Sequence, residues 1–552
     1  MKKLVNLKKY EDKILFLSLG GVGKMGINVN LYHYQNQWIM IDCGIGFSYN
    51  ETPGADVVIS DLSFLEQYNI KLVALLLTHA HEDHIGAVQY LIDQLNCPIY
   101  AGPFTKMVIE DKLRDKKVKQ KAKIIEMEKS FSIGPFNIEN FALNHSIPEM
   151  NAIVIKTSYG NILHTGDWRF DKNPILGTNS DLDNLKYWKK KGILALISDS
   201  TNIFVKNDQL TEMDLRKNLL KNFQDVKGLL VLTTFASNIV RLKTFFDLAQ
   251  QIGKKIVIIG KAIKKFYYLS YKSGYLKGTE ELLVSPQNIT KYPRSSMIVI
   301  ASGSQGEPLG AMNKIINNVH PYIKLKNGDK VIFSSKIIPG NEKRIFNLIN
   351  ILASSEIESV TSNTDFVHVS GHASELDIKN LYKILKPDIA IPIHGESMHV
   401  RQHCKIAKES GVPEVFFVQS GDLILLEKSA TKVIEKVHLG YYAVDGNYLV
   451  PSNSQIFQDR KSLYSNGILI ITCKINKLKL ISSQINAPGL LDLQNDSGLI
   501  NEIQELINNF FKDNYDKKLT NKSIKTALEK LLYKFIAKEM EKLPIIITNL
   551  VD

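Results

Sequence analysis

Hydrophobic positions along the chain follow two periods. Ile14–Leu19, Leu72–Leu77 and Ile193–Ile197 are short, predominantly apolar runs, the pattern of buried strands. Ile27–Tyr32 and Phe136–Leu143 alternate apolar and polar residues, which predicts half-buried strands. Gln35-Asn36-Gln37 reads as a turn and Trp38–Ile41 as the return strand of a hairpin. After Leu77 the spacing changes: Ala87-Val88, Leu91-Ile92 and Leu95 predict a helix. Between 201 and 364 strands alternate with helical segments, as in an α/β lobe. Tyr441–Asp459 reads as a turn-rich link. A strand at Gly467–Thr472 and amphipathic stretches at Leu499–Phe511 and Ile524–Met540 then predict a small α/β tail.

Chemistry concentrates between the strand Leu72–Leu77 and the helix after it, at Thr78-His79-Ala80-His81-Glu82-Asp83-His84-Ile85-Gly86. α/β folds place active sites at such carboxyl ends of strands. Neutral imidazole and carboxylate are ligands of zinc-like ions, at about 2.0–2.2 Å. His79 and His81, two apart, can share one ion; Asp83 and His84 lie one turn on and can reach a second. Histidine is only 13 of 552 residues, so composition does not explain the cluster. His145 and Asp167 also follow strand ends. The segment Gly21-Val22-Gly23-Lys24-Met25-Gly26 matches a dinucleotide fingerprint, but that site needs a helix next, and a hairpin follows. A phosphate-loop reading fails because Ser18 and Met25 occupy its glycine and Ser/Thr positions.

Composition adds a basic balance of +13, which favours a polyanionic partner. Lys112–Lys123 holds seven basic residues in twelve, a solvated helix face or an RNA-facing one. Cys43, Cys97, Cys404 and Cys473 lack metal or disulfide spacing, which suits a reducing compartment. No apolar run approaches the ~20 residues of a membrane span. No signal peptide is legible, and a cytoplasmic location is expected.

His-x-His-x-Asp-His after a strand resembles the signature of the metallo-β-lactamase fold, and the chain as a whole resembles ribonuclease J, the bacterial beta-CASP branch of that fold. The resemblance rests further on Asn144–Glu149, His164–Asp167, Ser198–Asn202, Thr234–Asn238, Ser302–Pro308, Ile338–Glu342, His368–Ser374 and Ile391–Glu396. It implies an α/β fold: a metallo-β-lactamase αββα sandwich with an inserted beta-CASP α/β domain and a small C-terminal α/β domain. The implied division is 1–200 for the first part of the sandwich, 201–364 for the insertion, 365–450 for the return segment and linker, and 451–552 for the tail.

By the same resemblance, His79, His81, His145 and Asp167 hold one divalent ion, and Asp83, His84, Asp167 and His394 a second. Asp42 stands behind them and orients the metal loop. Zinc is the first expectation for both ions, with manganese or magnesium as alternatives. Catalytic roles fall on Asp83, Asp199 and His372, with His372 beside the leaving group and Asp199 orienting it. Ser237, Asn238, His368, Ser370, Gly371, His372, Ala373 and Ser374 are the implied substrate-binding residues, and the loop Ser370–Ser374 would take a 5′-terminal phosphate. Gly371→Val is therefore expected to block that pocket and spare the metals.

The implied activity is metal-dependent hydrolysis of RNA, 5′-3′ exonucleolytic with endonucleolytic cleavage beside it, in rRNA processing and mRNA decay. The implied partners are single-stranded RNA, further copies in a homodimer or homotetramer, and other RNA-decay proteins, with no membrane. Lys24 stands where the family usually has an acidic residue, Val240 where it commonly has histidine, Lys261 where an arginine aligns, and Ala487–Leu490 where it often has Arg-Gly-Phe. Three rivals share these features. A DNA nuclease could use the same scaffold. A small-molecule metallo-hydrolase, such as a thioester or lactam hydrolase, would leave Asp199, His372 and His394 unexplained. A catalytically silent RNA-binding partner would be expected to have lost a ligand, and none is lost.

Overall fold

Leu72–Leu77 is a strand of an eight-stranded sheet in the computed structural model, which describes residues 5–551 apart from 49–50, 116–121, 178–181, 207–209, 225, 478, 493 and 515–519. The sheet order is Lys432–Lys436, Asp422–Leu426, Ile14–Gly20, Val29–Tyr34, Gln37–Ile41, Leu72–Leu77, Ile99–Ala101 and Ile124–Glu126. Its first half is antiparallel and its second half parallel. The expected hairpin is present: Gln35 and Asn36 take φ of 48° and 55°, and Val29–Tyr34 pairs with Gln37–Ile41.

A seven-stranded sheet lies against the first. It runs Ser130–Ile133, Phe136–Ala142, Asn151–Lys156, Asn161–His164, Ala195–Asp199, Ile389–Ile393 and Glu414–Val415. Phe16, Tyr32, Ile39 and Leu76 of one sheet meet Ile153, Ile162, Ile197 and Ile391 of the other in a shared core. Burying each such side chain is worth about 1.5–3 kcal/mol. The far face of the second sheet packs under helices Leu182–Lys191, Glu375–Leu385 and Ser397–Glu409 through Trp188, Leu381 and Ile406. The helix Val88–Leu95 buries Val88, Leu91, Ile92 and Leu95, as its spacing predicts.

The inserted segment forms a separate five-stranded parallel sheet in the order Lys255–Ile259, Met297–Ala301, Leu230–Thr233, Lys330–Phe333 and Glu358–Val360. Its core includes Val231, Val257, Val299, Val331 and Leu348. Of the basic stretch Lys112–Lys123, the start belongs to helix Pro103–Asp115, and 116–121 lie outside the described residues.

Contacts divide the chain into two units, Met1–Phe47 with Val58–Tyr441, and Ser48–Val57 with Tyr442–Asp552. In the second, the expected turn-rich link is instead structured. Tyr441–Asp445 and Tyr448–Pro451 form a hairpin, and Gln455–Asn466 is a helix. Aromatic and β-branched residues flank the turn, where Gly446 takes φ 62°. Arg460 of that helix donates to Pro53 O at 3.1 Å and Asp445 Oδ2 at 2.7 Å. Helices Ser497–Asn514 and Asn521–Met540 cover one face of the sheet Lys479–Asn486, Ile468–Asn476 and Ile545–Val551.

Candidate metal centre and active site

The turn His79–His84 is pinned from below by the segment after Gln37–Ile41 and by Asn28, just before Val29–Tyr34. Cys43 N donates to His84 O at 2.7 Å, and Asn28 N to Asp83 O at 3.0 Å. Gly44 is obligatory here: a Cβ on it would lie 1.6 Å from Asp83 O. The turn is partly helical, with Glu82–Ile85 forming one turn of α-helix.

Three overlapping groups of possible ligands converge above it among the described residues, and the third, Asp167, Asp199, His372 and His394, shares two members with the second. In the first, His79 Nε2 and His145 Nε2 lie 3.1 Å and 3.0 Å from His81 Nδ1, and 3.8 Å and 3.7 Å from Asp167 Oδ2. In the second, His84 Nε2 lies 3.5 Å from Asp83 Oδ2 and 3.2 Å from Asp167 Oδ2. His394 Nε2 lies 3.1 Å from Asp83 Oδ2 and 3.7 Å from Asp167 Oδ1. Tetrahedral zinc with bonds of about 2.0–2.1 Å places its ligand atoms about 3.3–3.4 Å apart. Both sets fit a divalent ion. Asp167 Oδ1 is buried without a hydrogen-bond partner among the described residues, as an oxygen reserved for a cation would be.

The outward ring nitrogens are held in place. His84 Nδ1–H donates to Asp42 Oδ2 at 2.7 Å and His145 Nδ1–H to Gly371 O at 2.8 Å. Two threonines act alike. Thr78 Oγ1 donates to Asp42 Oδ2 at 2.9 Å and accepts from His79 Nδ1 at 3.0 Å; Thr201 Oγ1 donates to Asp199 Oδ1 at 2.6 Å and accepts from His394 Nδ1 at 2.5 Å. Such outer bonds set the tautomer and ring orientation of a metal-binding histidine.

Charge separates the two sets. Burial, then neighbouring imidazoles, keeps His79 and His145 well below the ordinary histidine range, and burial pushes His81 down to about 4. These three rings are neutral and ready to ligate. At His84 and His394 burial opposes charge, but carboxylates, Asp167 foremost, outweigh it and raise both rings well above the ordinary value. Carboxylates buried here demand positive charge, which a divalent ion satisfies.

His372 stands beside this centre, with Nδ1 2.8 Å from Asp199 Oδ2 and 3.9 Å from Asp167 Oδ2. Burial opposes charge on His372, but Asp199 and Asp167 outweigh it and raise its pKa.

Family models match as the metallo-beta-lactamase superfamily at 22–196, the ribonuclease J beta-CASP domain at 227–352, a Zn-dependent metallo-hydrolase RNA specificity domain at 359–416 and the ribonuclease J C-terminal domain at 455–552. Ribonuclease J of Sinorhizobium meliloti is 35% identical, covering 83% of this chain and 82% of its own. The chain belongs to the ribonuclease J family. Ribonuclease J of Helicobacter pylori is 32% identical over 96% of this chain and 78% of its own, and Ribonuclease J2 of Bacillus subtilis 31% identical over 99% and 100%. A crystal structure of a protein of unknown function from Enterococcus faecalis V583 shares the fold, with a TM-score of 0.53 at 16% identity over 75% of this chain and 100% of that one.

The residues expected to bind substrate divide into those at the site and those behind it. Ser370 Oγ accepts from His372 N at 3.2 Å, and Gly371 packs on His145. These two, with Asn238, His145 and Val240, line a cavity. Asn238 is buried and caps helix Ile239–Gln251 by accepting from Arg241 N at 2.9 Å. Ser237 is half-buried. His368 is half-buried, and burial followed by Arg241 pushes it down to about 3, so it is neutral. Ala373 packs in the core, and Ser374 is fully buried with its hydroxyl spent on a capping box with Asp377. Their side chains therefore serve the fold rather than the cavity. Gly371→Val would press on the His145 ring as well as on the cavity, because a Cβ there would lie 2.6 Å from His145 Nδ1.

Several residues escape sequence reasoning. Thr78 and Thr201 each adjoin a recognised motif, and a hydroxyl beside a buried aspartate is the signal that marks them. Arg169 holds the Ser370 carbonyl at 2.8 Å. Arg241, fully buried, pairs with Glu212 at 2.6 Å and reaches the carbonyls of Val367 and Val369 at 3.4 Å each. No local pattern announces either arginine. Among the family departures, Lys24 lies over the Tyr441 ring at 5.5 Å, Val240 joins the cavity wall, and Lys261 is exposed at the start of helix Lys261–Lys272.

Proposed function

We propose that this metal-dependent hydrolase of RNA works with two divalent ions, removes nucleotides in order from a 5′-monophosphate end, and also cuts internally. The observation that carries the reading is Asp167, whose carboxylate faces both ligand sets while His372 stands beside it. Zinc is the proposed metal, with manganese and magnesium as the alternatives. When bound, the pair supplies a water nucleophile at neutral pH and positive charge for the scissile phosphate.

The remaining roles belong to the chain. Asp83 and Asp167 concentrate the negative charge that holds the cations. Asp199 fixes Nδ1–H of His372, so Nε2 carries the proton that passes to the leaving 3′ oxygen; such general-acid help is worth about 10²–10⁴-fold. Asp199 also stabilises the protonated ring before transfer. Ser237, His368 and the Ser370-Gly371 loop, braced by Arg169 and His145, bind the terminal phosphate. A 5′ hydroxyl would leave those donors unpaired, at about 1–3 kcal/mol.

The sandwich comprises 1–200 and 365–450, the beta-CASP domain 201–364, and the tail 451–552. The tail supports a homodimer or homotetramer. The chain acts on single-stranded RNA in the cytoplasm, in company with other RNA-decay proteins. Digestion of end-labelled RNA bearing 5′ monophosphate, triphosphate or hydroxyl, beside matched DNA, tests the reading. Fastest loss of the monophosphate RNA with release of mononucleotides is expected. Equal rates on all three RNA ends with only internal cuts overturn the exonuclease reading, and faster DNA cleavage overturns the choice of RNA.

A further inference from the structure

Phe204 is 47% exposed, although the two residues that lead into it, Asn202 and Ile203, are buried. It sits on a tight turn that starts at Asp199. Ile203 N donates to Ser200 O at 3.1 Å, Val205 N to Asn202 O at 2.9 Å, and Glu375 N to Val205 O at 2.9 Å, so the ring's backbone is fixed. The same turn touches the catalytic groups, through Thr201 on His394 and through Asn202 Nδ2 on His372 O at 3.4 Å. Phe204 meets His399 edge to face, with ring centroids 5.2 Å apart at 65°. His399 is in the first turn of the helix that follows His394, where the exposed Glu396 carboxylate and, less strongly, the exposed Lys336 ammonium act on it electrostatically.

An exposed aromatic ring held on a rigid turn next to a phosphodiester-cleaving centre is a stacking platform. We propose that Phe204, backed by His399, stacks the base of one nucleotide next to the scissile phosphate. Stacking suits an enzyme that must step through every sequence, because each base has a π-face, whereas hydrogen bonds to base edges would favour some sequences and stall at others. This rests on the proposed RNA hydrolysis.

An abasic scan tests it. RNAs lacking one base, moved position by position past the cleavage point, are digested by the wild-type chain and by Phe204→Ala, Phe204→Leu and Phe204→Trp. In the wild type one position loses about 5- to 150-fold in kcat/KM, the equivalent of ~1–3 kcal/mol per stacked base. Phe204→Ala and Phe204→Leu lose a similar factor on intact RNA and become insensitive to base removal at that position, whereas Phe204→Trp keeps both rate and sensitivity. The half-exposed site makes misfolding of these variants readable by thermal melting. A wild type that cleaves RNA with the same abasic profile as Phe204→Ala overturns this inference alone. A wild type that leaves all RNA intact overturns the nuclease reading and this one with it.

Discussion

Asp199 spends one carboxylate oxygen on His372, taking its Nδ1 at 2.8 Å, and turns the other toward His394 Nδ1 at 3.3 Å. One buried carboxylate thus joins the proposed proton donor to a proposed metal-binding imidazole.

His372→Ala is expected to lower kcat about 10²–10⁴-fold, the usual worth of a general acid, with RNA affinity changed only a few-fold. Asp199→Asn should lower kcat as well, and also weaken metal binding about 10–100-fold, because it loosens His394. Single-turnover rates and equilibrium metal titration on both variants separate the two. Equal metal affinity in the wild type and Asp199→Asn would show that His394 does not depend on this contact.

Asp42→Ala removes the acceptor of Thr78 N, Thr78 Oγ1 and His84 Nδ1 at once. Metal retained after dialysis should fall, with affinity about 10–100-fold lower. Each buried donor left unpaired costs about 1–3 kcal/mol, so the metal-free protein should also melt earlier. Calorimetry of the apo form checks the second effect independently of the first.

Gly371→Val should disturb His145 and the end-binding cavity together, so metal content and 5′-end preference fall in one variant. Ser374→Ala should lose only its cap, about 0.5–2 kcal/mol, and keep the preference for monophosphate ends. A Gly371→Val protein with full metal content and altered end preference would restore the pocket-only expectation.

These contrasts mark where sequence reasoning reaches its limit. His79, His81, Asp83 and His84 are legible because four ligands fall on one turn after an apolar run. His145, Asp167, Asp199, His372 and His394 come from strand ends far apart in the chain, and the family resemblance, not spacing, links them. Ser374 was readable: Ser374-Glu375-Leu376-Asp377 is a capping box, a local signal overshadowed by the neighbouring motif. In the link around Tyr441–Asp459 the glycine and asparagine mark a hairpin turn, while the flanking aromatics carry the strand signal. Arg241 and Glu212 lie 29 residues apart on two helices, and only the packed insertion reveals their bond.

The tail's sheet leaves Ile481, Ile547 and Val551 57%, 36% and 49% exposed on strands whose partners cover the opposite face. A chain ending at 450 is expected to contain fewer subunits per particle than the full chain, since exposed apolar surface of this kind favours association. The same subunit number in both would remove assembly from the tail's role.

Two ions, sharing Asp167, are proposed to make the active centre, and metal reconstitution tests this. The most direct measurement is titration of zinc, then manganese, into chelator-treated protein, with bound metal counted by elemental analysis and RNA hydrolysis followed at each step. Activity should return as occupancy rises from one to two ions per chain. In Asp167→Asn neither full occupancy nor activity should be reached. Full activity in protein without tightly bound metal, or at one ion per chain, would contradict it.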